Sequence, residues 1–277
     1  MRIGIFSNEI KDKGNNEALK LSEMLTVNGA EVFLFNNTDR PYLKSIISDS
    51  DIDLLTVLGG DGTILGVVPS AAMNDVPIIG INMGQIGFLT ELEIGNSLSK
   101  LIDDFGEGRY NIDSRTLIEV SDKTSSYLAL NEVFIGRNQD CCVVPIDVMI
   151  DDTLIDRYIG DGVIICTPTG STAYSLSAGG PILSPDIEAF VINPVCPHSL
   201  HSRPIVIADK HTLTLKLQSD RMTAKVSLDG RVKAIIDNQE EIKVKKADIR
   251  AKFIRFNNLN FYKRLLVKLN YWSSTEI

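Results

Sequence analysis

A lone carboxylate, Asp61, stands among three glycines in Leu58-Gly-Gly-Asp-Gly-Thr63, a composition suited to phosphate chemistry. Glycine lets backbone N–H groups approach a phosphate closely, and a helix starting near Thr63 would turn the positive end of its dipole toward the same anion. An acid inside such a cradle, with Gly60, Gly62 and Thr63 around it, fits phosphoryl transfer. The same residues also fit a tight strand-to-helix turn with Asp61 as its N-cap.

A second segment runs from Gly160 through Asp161-Gly-Val-Ile-Ile-Cys-Thr-Pro-Thr-Gly-Ser-Thr172-Ala-Tyr-Ser-Leu-Ser177 to Gly180. It reads as strand, turn and short helix, crowded with hydroxyls and small side chains. Such a surface offers N–H and O–H donors with little bulk, suited to the ribose, phosphate or adenine edge of a nucleotide. A serine- and threonine-capped helix start is the plainer reading of the same stretch.

Other chemistries lack their residues. No Gly-x-x-x-x-Gly-Lys-Ser/Thr is present, and Gly60-Asp-Gly62-Thr-Ile-Leu-Gly66 misses the dinucleotide fingerprint. The three histidines, His198, His201 and His211, have neither metal-ligand spacing nor a nucleophile-elbow serine beside them, and read as structural or surface residues. The cysteines, Cys141, Cys142, Cys166 and Cys196, also lack metal spacing and read as reduced core residues of a cytoplasmic protein.

The elements that must position these motifs alternate. Residues 3–7 form an apolar strand, residues 15–28 carry helical spacing at Ala18, Leu21 and Leu25, and Gly29 precedes a strand over 31–35. A helix after Pro41, a strand over 53–58, a helix over 63–72 and a strand over 78–81 continue the pattern. This alternation predicts a doubly wound parallel α/β domain over residues 1–108, with the glycine loop at the carboxyl end of a strand.

From about Tyr110 the pattern changes to short strands, over 117–120, 127–133, 143–150, 163–166, 205–207, 213–217, 225–228 and 232–236. They predict a mostly β domain over 109–250. Residues 251–277, with helical spacing at Phe261, Leu265, Leu266 and Leu269, read as a segment returning to pack on the first domain.

With 277 residues, 44% of them hydrophobic, the chain can bury a substantial core. Its net charge of −8, without a basic cluster, disfavours a nucleic-acid partner, and no apolar run approaches the roughly 18 residues of a membrane span.

Taken in order, Gly59-Gly-Asp-Gly-Thr63, Leu130-Asn-Glu132, Asp161-Gly162, the block Thr167 to Pro181, Pro197-His-Ser-Leu200 and Arg203-Pro204 resemble the bacterial NAD kinases over nearly the whole chain. The glycine-aspartate motif alone is shared with diacylglycerol kinases, sphingosine kinases and phosphofructokinases. The long Thr-Pro-Thr-Gly-Ser-Thr-Ala-Tyr block resembles the NAD kinases specifically.

The resemblance implies ATP-dependent phosphorylation of the adenosine 2′-hydroxyl of NAD, giving NADP, with Asp61 as proton acceptor. It implies nucleotide contacts from Asn131, Glu132, Asp161, Thr172, Ala173, Tyr174, Ser175, Leu176 and Ser177, with Phe88 lining the adenine pocket and Tyr174 placed to stack. A homodimer or homotetramer is implied as well. Asp229-Gly230 is a further candidate contribution to the site from the β domain, not counted among these site residues.

One departure bears on the donor. The helix over 63–72 lacks the lysine or arginine that often follows the glycine motif in that family, and Pro69 interrupts it. A divalent ion, Mg²⁺ arriving with ATP, is then expected to neutralise much of the triphosphate. A lipid kinase and a non-catalytic nucleotide sensor are the competing readings; the first leaves the Asn-Glu pair and the Ser/Thr block unexplained.

Overall fold

Apolar residues an even number of positions apart in three short runs, Ile3 and Ile5, Leu54 and Leu58, and Ile79 and Ile81, are fully or almost fully buried and converge in one core. The computed structural model describes residues 1–84, 87–95, 97–138, 143–256 and 261–274. Two units partition the chain, residues 1–114 with 250–277 and residues 115–249.

The first unit runs β1 (Arg2–Ser7), α1 (Asn16–Val27), β2 (Glu31–Phe35), α2 (Leu43–Ser50), β3 (Leu54–Gly59), α3 (Asp61–Leu65), α4 (Val68–Met73), β4 (Ile78–Asn82), β5 (Leu92–Glu93) and α5 (Ser97–Gly106). Its strands pair in parallel in the order β2-β1-β3-β4. Strands this completely buried read as near-continuous apolar runs, as Leu54–Leu58 does, because helices cover a parallel sheet on its faces. The α1 residues Ala18, Leu21 and Leu25 and the α5 residue Leu101 join the core cluster.

The second unit takes up β6 (Asn111–Ser121) from its fifth residue, then β7 (Ser126–Ala129), β8 (Glu132–Arg137), β9 (Val144–Ile150), β10 (Thr153–Gly160), β11 (Gly162–Cys166), α6 (Tyr174–Ser177), β12 (Ala189–Val195), β13 (Ile205–Ala208), β14 (Leu213–Leu217), β15 (Ala224–Leu228), β16 (Arg231–Ile236) and most of β17 (Glu241–Arg255). Six strands form an antiparallel sheet ordered β13-β12-β11-β8-β15-β16. Its inward residues, among them Val133, Ile135, Val163, Ile165 and Phe190, meet Ile146, Val148, Leu213 and Leu215 from β9 and β14. That is the alternation of a sheet pair packed over a dry core.

After β17, whose last residues lie in the first unit, the chain forms α7 (Phe261–Ser274), also in the first unit. Phe253 of β17 pairs in parallel with Ile78 of β4, and Ile254 enters the first unit's core. The class is therefore α/β plus β with a C-terminal helix.

Three expectations change. The single helix over 63–72 is two short ones, α3 and α4, broken at Gly66–Val67, with Pro69 in the first turn of α4, where its missing N–H costs nothing. The strand expected over 127–133 is interrupted at Leu130-Asn131 between β7 and β8. Of the four cysteines, Cys166 is buried, but Cys196 is exposed in a turn at φ +46°, because the chain leaves β12 there. Cys141 and Cys142 lie outside the described residues.

Candidate functional site

Strand order 2-1-3-4 reverses direction between β1 and β3, and open α/β sheets bind ligands in the crevice beyond such a point. The loop after β3 carries Gly60, Asp61, Gly62 and Thr63. The loop after β1 carries Asn8 and Lys11. The Asn8 side-chain amide donates to Thr63 Oγ1 at 2.9 Å, tying the two loops together.

Lys11 is presented by a tight turn in which its N–H and that of Asp12 both donate to Asn8 O at 2.8 Å. Asp12 anchors that turn: its carboxylate accepts the Ser7 hydroxyl and the Glu17 and Ala18 N–H groups at the start of α1. The Lys11 ammonium reaches back to 3.0 Å from where a Gly60 side chain would begin. From α7, the Lys268 ammonium lies 4.7 Å above the Phe88 ring, a cation–π contact. The Phe261 ring, also from α7, lies 6.4 Å from the Phe88 ring, centre to centre.

Asn8, Lys11, Gly60, Asp61, Gly62, Thr63, Gly87 and Lys268 line an open cavity of about 490 Å³. Asp61 opens α3 and its carboxylate accepts two backbone N–H groups, Phe88 on Oδ2 at 2.8 Å and Leu89 on Oδ1 at 3.1 Å. Gly87 stands so close to that carboxylate that an added Cβ would lie 1.9 Å from Oδ1. The helix α3 is only five residues long, so its dipole contributes little, and the positive charge of the cavity comes from Lys11 and Lys268 instead. The helix after the glycine motif carries no cation, and the cations of the cavity come from other elements. They lie far from the glycine motif in sequence, on the first loop and the last helix.

The second unit gathers the remaining motif residues. Asp229, not counted among the site residues, accepts the N–H groups of Leu130, Asn131 and Glu132 at 2.9, 2.8 and 3.1 Å. These bonds replace strand pairing at that point, which is why the strand breaks. Thr167 adds its hydroxyl to Leu130 O at 2.6 Å and its N–H to Asn131 O at 2.9 Å. Gly170 is required there, because a side chain would meet Asn131 O at 2.1 Å.

Glu132 is buried, and its Oε2 has no hydrogen-bond partner. Burial, reinforced by the Asp229 charge and opposed by the Tyr174 N–H, pushes its carboxyl up to about 8. Burial likewise raises Asp229 above the usual carboxylate range, against the pull of its three N–H donors. Burial pushes the Cys166 thiol up to about 12, although the Ser175 hydroxyl partly counters it.

Asn193 fixes the Ser/Thr block from β12, its side-chain amide donating to Ser175 O at 3.0 Å and meeting Ser175 Oγ at 3.1 Å. The Tyr174 ring is partly exposed and stands edge-on to Phe134, with centroids 5.5 Å apart. Arg137 faces Asp161 at 3.3 Å. Thr172, Ala173, Leu176 and Ser177 form the turn and the short α6 around these two anchors. Asn8, Lys11 and Lys268 are residues that the sequence motifs did not single out, and of these Asn8 and Lys11 carried a signal, their position just after the first strand; Asp229 was singled out but not counted among the site residues.

The description ATP-NAD kinase N-terminal domain matches residues 36–110, and ATP-NAD kinase C-terminal domain matches residues 130–256. The chain is 35% identical to the NAD kinase of Methanothermobacter thermautotrophicus over 274 residues, covering 97% of this chain and 96% of that one. It is 36% identical to the NAD kinase of Clostridium botulinum strain Loch Maree over 276 residues, with 98% and 97% covered. Among solved structures it resembles an NAD kinase from Archaeoglobus fulgidus in complex with ATP (27% identity, TM-score 0.79, 98% and 99% covered). It also resembles yeast NADH kinase complexed with NADH (25% identity, TM-score 0.86, 98% and 88% covered).

Proposed function

Because this chain belongs to the ATP-NAD kinase family and phosphorylates NAD to NADP with ATP, we propose that Asp61 orients the adenosine 2′-hydroxyl and takes its proton. The observation that carries this role is the two-point grip on the Asp61 carboxylate by the Phe88 and Leu89 N–H groups. It fixes the carboxylate plane while leaving lone pairs free for an incoming hydroxyl. Phosphoryl transfer through a loose transition state needs an oriented acceptor more than a strong base.

Lys11 and Lys268 supply two point charges to the same cavity, and we assign them to the donor's phosphate oxygens. Gly60, Gly62 and Thr63 line that cavity without bulk. Asn131, Glu132, Asp161, Thr172, Ala173, Tyr174, Ser175, Leu176 and Ser177 are assigned to the dinucleotide, with Phe88 as an apolar contact to it. The support is their motif match together with the anchoring of the Asn131–Glu132 backbone by Asp229 and of Ser175 by Asn193.

No group of three or more His, Cys, Asp or Glu side chains among the described residues is arranged to hold a metal ion. We assign Mg²⁺ to the substrate, entering as MgATP to neutralise the triphosphate, and no step is routed through a protein-held ion. A homodimer or homotetramer, resting on the family resemblance alone and testable by sedimentation, and a cytoplasmic location, resting on the reading of the cysteines as reduced, complete the proposal.

Purified protein incubated with NAD, ATP and Mg²⁺ is expected to form NADP, read out with an NADP-specific dehydrogenase. The Asp61→Asn variant should lose turnover by orders of magnitude and NAD affinity by little. A variant that turns over like the parent would remove Asp61 from the chemistry.

A further inference from the structure

The segment Gly87–Thr90, which grips Asp61, follows β4 and has no helix or strand of its own before β5. The carbonyls of Phe88, Leu89 and Thr90 are approached from the far end of the sequence. Arg255 Nη1 donates to Leu89 O at 2.9 Å, and Arg264 Nη1 donates to Thr90 O and lies 3.4 Å from Phe88 O. Both guanidinium groups also share one carboxylate oxygen, Glu91 Oε2, with Arg255 at 3.3 Å and Arg264 at 2.5 Å. The other Glu91 oxygen accepts the Phe256 N–H at 3.1 Å, and Arg255 Nε reaches Asp113 at 3.2 Å.

These charges are deeply placed: the Glu91 side chain is 1% exposed and the two arginines 12% and 13%. Burying such a cluster rarely beats apolar packing on stability alone, so its presence calls for a task apolar side chains cannot perform. Donating to two successive carbonyls while placing charge beside a third is such a task. The Phe88 carbonyl and the Leu89 N–H are two ends of one peptide group. A guanidinium beside the first therefore polarises the donor that the second presents to Asp61 Oδ1. The 3.4 Å contact is long for a hydrogen bond, so mechanical restraint comes from the Leu89 and Thr90 carbonyls, and the Phe88 contact acts through charge.

We infer that Arg264 and Arg255, bridged by Glu91, are positioning residues for the phosphoryl-transfer step, bracing the backbone that holds the Asp61 carboxylate. This rests on the reading of Asp61 as proton acceptor. Neither arginine touches the substrate; both act through the peptide groups of Phe88, Leu89 and Thr90.

The test is a cycle on the full chain with Arg264→Leu, Arg264→Lys, Asp61→Asn and the Arg264→Leu/Asp61→Asn pair, each first shown to melt cooperatively. Arg264→Leu is expected to lower kcat by roughly 30- to 100-fold with both KM values within about threefold, since a misplaced reacting group costs turnover. Arg264→Lys, which keeps the charge but loses the fork, should recover part of that loss. In the Asp61→Asn background the Arg264 change should alter the residual rate less than about twofold, because the two act as one unit. Amide hydrogen exchange over residues 87–90 should accelerate in Arg264→Leu. Unchanged exchange, unchanged kcat, or a full and additive loss in the Asp61→Asn background overturns the brace. Parental turnover by Asp61→Asn instead overturns the reading of Asp61, while exchange at 87–90 still decides the brace.

Discussion

Gly87 faces Asp61 so closely that any side chain at that position would occupy the carboxylate's own place, its Cβ 1.9 Å from Oδ1. Replacing Gly87 by alanine must push the carboxylate off its two N–H donors or displace the loop. Gly87→Ala is therefore expected to lose roughly 100-fold in kcat and about 1–3 kcal/mol in stability. Steady-state kinetics and urea unfolding check both, and a well-folded variant with parental kcat would mean that the grip on Asp61 is dispensable.

Asp229 serves the other unit in an analogous way, its carboxylate holding three consecutive N–H groups where the strand breaks. Asp229→Ala strands these donors in a buried turn, which costs more than the relief of a buried charge returns. The expected outcome is destabilisation by about 2–4 kcal/mol with weaker NAD binding. Denaturant titration and calorimetry of NAD binding measure the two effects, and intact affinity would detach the Asn131–Glu132 turn from nucleotide recognition.

Glu132 predicts a pH dependence of opposite sign to that of an ion-paired carboxylate. Its folded-state carboxyl sits at about 8 against an ordinary 4.5, so the folded chain binds more protons than the unfolded chain between those values. Its contribution to stability accordingly falls as pH rises from about 4.5 to about 8 and levels off beyond. Glu132→Gln should match the parent's melting temperature near pH 5 and exceed it increasingly toward pH 8. A difference that stays flat across that range would place the Glu132 proton elsewhere.

The thiols should separate by reactivity. Cys166 is buried and held far above the pH at which a thiol ionises, whereas Cys196 lies exposed in its turn. Brief alkylation of the native protein followed by peptide mapping should label Cys196 and spare Cys166 until denaturant is added. Rapid native labelling of Cys166 would show that the Ser/Thr block opens.

Much of this was written locally in the chain. The apolar runs at 3–7, 54–58 and 78–81 announced a buried parallel sheet, and the glycines around Asp61 announced the strand-to-helix turn after β3. Alternation along 213–217 and 225–228 announced the β unit in the same way. What local pattern did not carry was anything fixed by a distant partner. The strand over 127–133 breaks because Asp229, about a hundred positions later, takes three of its N–H groups. The cavity gains its positive charge from Lys11 and Lys268, neither of which neighbours the glycine motif. Periodicity also read 63–72 as one helix, where Gly66 and Pro69 divide it into two.

The route of the chain through its two units imposes an order on its maturation. Arg264 follows Phe88 by 176 residues, and the whole of the β unit is synthesised between them. Closing so long a loop unaided would cost on the order of 4–5 kcal/mol in chain entropy. Folding of the β unit, in which β6 pairs with β17, draws the two ends together beforehand. A nascent polypeptide thus carries its glycine loop from early on, and on the roles proposed above gains activity only after the later unit has folded and α7 has been made. Lesions in the β unit far from any nucleotide contact would then surface as slow acquisition of activity after refolding, with the final specific activity intact.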